Sequence, residues 1–122
     1  MSPRLSGALL ALLCLTGCSA GPPQPAPSSI VVAVSVPTKG PQAADGQAVV
    51  DAVGQVLNDE FHGRIEGLPV TLRTLDEASN DRRDPARAAG NLGELVADRA
   101  FLGVVGPLNS DVAESEIPIA RA

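Results

Sequence analysis

Side chains able to do acid–base, nucleophilic or metal chemistry are thinly spread along this chain of 122 residues. His62, its one histidine, precedes Glu66 by four positions, the spacing of a ligand pair on one helix face. Gly63 and Gly67 interrupt any helix through both, so no metal pair forms, and His62 reads as a surface residue at a helix end, favourable to the helix dipole. "DEASND", residues 76–81, offers several oxygens but lacks the glycine and terminal glutamate of a calcium loop, and reads as solvated. "GVVGP", residues 103–107, follows a strand pattern, yet it is not G-x-G-x-x-G and no P-loop lysine follows. No serine stands in a nucleophile elbow, and the histidine has no evident partner. These patterns argue against an enzyme, a resident metal and a cofactor.

Composition narrows the choice further. Phe61 and Phe101 are the only aromatic residues, so an aromatic ligand cage or a base-stacking platform is excluded for this segment. The formal charge is −5. Leaving out residues 1–17, whose single charge is Arg4, makes it −6. The basic run "NDRRDPAR" is interrupted by acids, so no nucleic-acid partner is expected. Cys14 and Cys18 both lie near the N-terminus, which speaks against a disulfide framework or a zinc site.

Those cysteines belong to a different kind of signal. "MSPRLSGALLALLCLTGCSA" has one early positive charge, an apolar run from Ala8 to Leu15 and then small residues. That is the form of a secretory signal peptide, too short for a comfortable membrane span. "LTGC", Leu15 to Cys18, resembles the bacterial lipobox. The resemblance implies a signal peptide over residues 1–17 and acylation of Cys18, whose acyl chains would anchor the protein durably. An ordinary cleaved signal with an incidental cysteine is the alternative. Residues 18–29 then combine the lipidated cysteine with a Pro-rich, uncharged tether. The expected location is the extracytoplasmic face of the cell membrane, lipid-anchored.

The elements that must position any site follow from residue 30 onward. "IVVAVSV", Ile30 to Val36, is an apolar, β-branched run suited to a strand buried on both faces. From Ala43 to His62 apolar residues recur with helical periodicity, and Gly63 suits the C′ position. Leu68 to Leu75 predicts a second strand, with Pro69 near its start. After a polar loop, Asp84-Pro85 starts a second helix running to about Asp98, with Ala88, Ala89, Leu92, Leu95 and Val96 facing inward. Phe101 to Val105 predicts a third strand. Asn109 or Ser110 caps a third helix, which Pro118 should end or kink near Ile117. Three β-α units predict an α/β fold with a doubly wound parallel sheet. In the strand order 2-1-3, the crevice between the first and third strands opens between the loops Val36–Pro41 and Gly106–Ser110.

Taken together, "VVAVSVPTKGPQAADGQ", "VTLRTLDEASNDRRDPARAAGNLGELV" and "FLGVVGPLNSDVAESEIPIA" resemble the N-terminal part of the type I periplasmic solute-binding proteins of ABC importers. The branch is that of the branched-chain amino-acid (Leu/Ile/Val) binders, and the resemblance covers residues 30–122. It implies a partial N-terminal lobe of a periplasmic-binding-protein type I fold. It further implies capture of an amino acid or similar small polar solute between two lobes, delivery to ABC permease subunits and no reaction. It also implies that a serine at the turn after the third strand, with nearby backbone N–H groups, holds a ligand carboxylate. Here that serine is Ser110, within "GPLNS", so Ser110, Asn109 and Leu108 are candidate ligand contacts. Ser110 would stand at a helix N-terminus, where unpaired N–H groups favour an anion, although capping alone is the alternative role. Thr38 and Lys39 are candidates from the first loop. In that loop Val36 and Pro37 replace the relatives' common Gly-rich turn, and Asp45 stands where some binders place an aromatic residue.

The family's two lobes need more chain than this, so a truncated or split product that binds solute weakly or not at all when alone is expected. A small anchored structural or interaction lipoprotein, and a ligand-sensing receptor domain of the same fold, are the alternatives.

Overall fold

A computed structural model describes residues 24–121. Cys18, the signal peptide and the first part of the tether lie outside the described residues.

The first strand, β1 (Ile30–Val36), forms where the β-branched run predicts it. Its alternate residues face opposite sides of the sheet: Val31 and Ala33 enter a core with Leu75, Leu92 and Leu95, while Val32 faces the other side. Helix α1 (Ala43–Asp59) follows. A short strand β2 (Arg64–Ile65) and the long β3 (Leu68–Asp76) then make a hairpin. Its two-residue turn, Glu66-Gly67, has positive φ at both positions, as such turns require.

The "DEASNDRRD" segment is not a plain solvated loop. It folds as a second hairpin, β4 (Ala78–Ser79) against β5 (Arg82–Arg83), turning at Asn80-Asp81 with both φ values positive. Glu77 and Ala78, at its root, are buried. Helix α2 (Pro85–Leu95) starts as its sequence predicts: the Asp84 side chain accepts from the Arg87 amide at 3.0 Å, and Pro85 opens the first turn. It ends a turn earlier than Asp98. Strand β6 (Phe101–Val105) and helix α3 (Ser110–Ala120) complete the described fold. Pro118 does not end α3 at Ile117; the helix continues past it to Ala120.

The four-stranded sheet runs β2-β3-β1-β6, with β3, β1 and β6 parallel. For the three main strands this is the 2-1-3 order. Helices α2 and α3 pack together on one face, over Val31, Ala33, Leu75 and Val104. Helix α1 lies on the other. There the predicted apolar stripe is poorly covered: Gly46 is the one buried residue of α1, and Val56 and Phe61 are about half exposed. A wholly apolar groove of about 410 Å³ opens between Val53, Val56 and Leu57 of α1, Val32, Ile65 and Val105. Val96 of α2, expected to face inward, is also exposed; Ala88, Leu92 and Leu95 are buried. Among the described residues no helix is long and apolar enough to cross a membrane.

Candidate functional site

The carboxyl ends of β1, β3 and β6 bring the first loop, the root of the second hairpin and the "GPLNS" turn to one end of the sheet. Gly106 lets the turn after β6 close up on β1. Its φ is 109°, and a Cβ there would stand 2.4 Å from the Ser35 carbonyl oxygen, so no side chain fits.

Asn109 is the hub of this end. It occupies the N-cap position of α3 in extended conformation, but its side chain caps nothing. Its amide instead donates inward to Glu77 Oε1 at 2.8 Å. Its carbonyl oxygen receives Arg83 Nη1 at 3.0 Å and Gln42 Nε2 at 3.2 Å. Four segments thereby meet at one buried amide: the approach to α1, the root of the hairpin, β5 and the turn. One amide of the first turn finds a partner inside the helix, since Asp111 Oδ1 accepts from the Val112 amide at 3.1 Å.

Ser110 begins α3 and is exposed, and its hydroxyl makes no hydrogen bond among the described residues. It is thus free of the capping role. Leu108 beside it is exposed too. A depression of about 340 Å³ next to the turn is lined by Pro41, Gln42, Asp81, Arg82, Arg83 and Asp111. Arg83 Nη1 lies 3.4 Å from Asp111 Oδ1, so the acid in the first turn is countered by a neighbouring cation.

Thr38 and Lys39 do not join this group. Both are drawn to Asp76 at the end of β3. The Thr38 amide donates to Oδ1 at 3.1 Å, and Lys39 Nζ lies 3.9 Å from Oδ2. Arg87 Nη2 stands 3.6 Å from the same Oδ2. Burial by itself would raise the Asp76 carboxyl. Hydrogen bonds from Thr38 and the Ala78 amide, with the Arg87 charge, outweigh it and hold Asp76 below the ordinary aspartate range. Val36 and Pro37 are buried, and Asp45 is exposed in the first turn of α1. The turn is thus reached by Gln42, ahead of α1, and not by Thr38 or Lys39 of the first loop.

Another depression, about 530 Å³, lies elsewhere, between the outer edge of β3 and α2. Asn91 Nδ2 (2.9 Å) and Arg87 Nε (3.3 Å) already occupy the Asp76 carbonyl there. It is a surface groove covering a strand edge and brings none of the candidate ligand residues together.

Sequence reasoning missed Gln42, Glu77, Arg83 and Glu116 at this end of the sheet. Two signals were available. Glu77 is two residues beyond the core residue Leu75, and Glu116 is one helical turn beyond buried Val112, so period alone puts each on an inward face. Among the described residues no three His, Cys, Asp or Glu side chains gather as metal ligands would.

No protein-family model matches the sequence, and no curated protein matches it either. Solved structures do. The leucine-binding protein LivK of Thermotoga maritima is similar over 75% of this chain, at 24% identity and a TM-score of 0.62. The branched-chain amino acid transporter substrate-binding protein LivJ of Streptococcus pneumoniae, in complex with isoleucine, is similar over 76%, at 26% identity and 0.60. A possible leucine/isoleucine/valine-binding protein of Rhodopirellula baltica is similar over 80%, at 25% identity and 0.58. The matched region spans only about a quarter of each neighbour, 24%, 26% and 26%. These neighbours are binding proteins, not enzymes. The resemblance read from the sequence is thus met by structure, and the chain carries the α/β fold of a partial type I periplasmic-binding-protein lobe.

Proposed function

We propose that this chain belongs to an extracytoplasmic solute-binding lipoprotein of an ABC importer, anchored through Cys18 and serving amino acids or similar small polar solutes. One observation carries the reading. In a fold shared with amino-acid-binding neighbours, Ser110 presents an unengaged, exposed hydroxyl at the N-terminus of an 11-residue helix. The helix N–H groups and the Arg82–Arg83 pair beside the turn suit a ligand carboxylate. Leu108 and Asn109 shape the turn, Asn109 from beneath. The ABC permease subunits are the partners this role requires. Thr38 and Lys39, held on Asp76, would contribute at the margin of the site.

A region that matches about a quarter of each neighbour would grip a solute from one side. Affinity in the millimolar range, about −4 kcal/mol, is therefore expected. Amide chemical shifts of the chain titrated with an amino-acid panel test this. Perturbations should centre on Ser110–Val112 and be lost in Ser110→Ala. Shifts that avoid this turn for every amino acid would refute the site. The anchor is checked separately: Cys18→Ser should abolish fatty-acid labelling, and continued labelling would sink that half of the proposal.

A further inference from the structure

Two acids lie where acids are seldom found. Glu77, between β3 and β4, is 0% exposed, and Glu116, on the inner side of α3, is 2% exposed. Each is served by one neutral donor. Ser35 Oγ of β1 donates to Glu116 Oε1 at 2.6 Å, and Asn109 Nδ2 donates to Glu77 Oε1 at 2.8 Å. The second oxygen of each, Oε2, is buried with no hydrogen-bond partner. An ionised carboxylate stripped of water needs several donors or a cation to offset its lost hydration, and a single neutral donor falls short.

The surrounding charges do not make up the difference. Glu77 feels Glu116 and Asp111 from α3, both unfavourable, and Arg83 from β5, favourable. Arg83 is about half exposed and already bound to Asn109 and Asp111. Ser35, the hydrogen-bonding partner of Glu116, brings no charge from β1, and neither does Gln42 ahead of α1. The buried side chains of α2, Ala88, Leu92 and Leu95, are apolar. Asp76 is turned to Thr38, Lys39 and Arg87, and Asp84 to the Arg87 amide. Burial is accordingly the main influence on both glutamates, and it pushes both carboxyls above the ordinary glutamate range.

We propose that Glu77 and Glu116 form a proton-operated latch, seating α3 and its leading turn on the sheet when protonated and loosening that turn when they ionise. The geometry places them for this. The Ser35–Glu116 bond joins the centre of the sheet to α3, and the Glu77–Asn109 bond joins the end of β3 to the turn. Residues 106–110 hang between the two. The latch rests on the fold alone and stands whether or not the turn meets a solute.

The sign follows from linkage. A glutamate whose carboxyl is raised in the folded state contributes stability that is complete below its unfolded pKa. That contribution is lost as pH rises through the folded value. Glutamate-labelled carboxyl NMR of the full chain reads the two protonations directly. Amide exchange at Val112 and Ala113, which donate to Asp111 Oδ1 and the Asn109 carbonyl, corrected for its intrinsic pH dependence, reads the turn. Both midpoints should stand above the ordinary glutamate value, and protection should fall across the same interval. The folding equilibrium constant should drop about tenfold for each unit by which a midpoint is raised. The double variant Glu77→Gln, Glu116→Gln should lose that drop. Ordinary midpoints, or protection that holds steady through raised ones, would overturn the latch. If the double variant fails to fold, the titration and exchange of the unaltered chain decide alone.

Discussion

Replacing Asn109 by alanine would remove three hydrogen bonds at once: two received, from Gln42 and Arg83, and one given, to Glu77. Arg83, which is exposed, and Gln42, which is partly so, can turn to water. Glu77 cannot, since it is fully buried and would lose its one donor. Leaving a buried polar group without its partner costs about 1–3 kcal/mol, and urea denaturation of Asn109→Ala should show a loss of that size. Ser110→Ala, one position on, should leave stability nearly unchanged, because its hydroxyl bonds nothing among the described residues. Adjacent residues of one turn thus divide the work, one toward the interior and one toward solvent. The residue types did not disclose the division, since Asn and Ser are equally good caps and both suit a turn.

Among the elements, β1 and α2 were legible because local chemistry and burial agree there, and β6 because its apolar run stands between two turns. A β-branched run became a central strand, and Asp84-Pro85 became the cap and first residue of α2. Helix α1 was legible as a helix but not as a packed one. Periodicity reports which face is apolar and is silent on whether anything covers that face, and here Val32 and Val105 leave a groove beside it. The hairpins β2–β3 and β4–β5 were missed because β2, β4 and β5 are two residues long, so no apolar alternation flanks the turns Glu66-Gly67 and Asn80-Asp81 to announce them. Loose packing on one side of α1 makes a contrast between its two glycines. A Cβ at Gly54 would come no closer than 3.9 Å to Leu72, so Gly54→Ala should stabilise by about 0.5–1 kcal/mol through helix propensity. At Gly46 a Cβ would stand 2.1 Å from the Pro37 carbonyl oxygen, so Gly46→Ala should destabilise by about 1–3 kcal/mol. Thermal unfolding of the two variants should therefore move in opposite directions.

For the molecule as a whole, the parallel sheet has one face well covered and one face half covered, and β6 pairs only with β1 among the described strands. Leu102 on that strand is 61% exposed, and Val105 and Leu108 near it are exposed as well. A strand edge with unpaired N–H and C=O groups and no charged side chain invites pairing with another chain. Leu102→Lys should raise the concentration at which the chain stays soluble without lowering its melting temperature, as turbidity and calorimetry would show. Its failure to do so would place the self-association surface elsewhere. The same strip has a meaning for the chain's fate in a cell. Chaperones and quality-control proteases select their clients by persistent apolar surface and open strand edges, and the half-covered face displays both. Whatever segment or partner lies over β6 and α1 therefore sets the lifetime of this polypeptide as well as its shape.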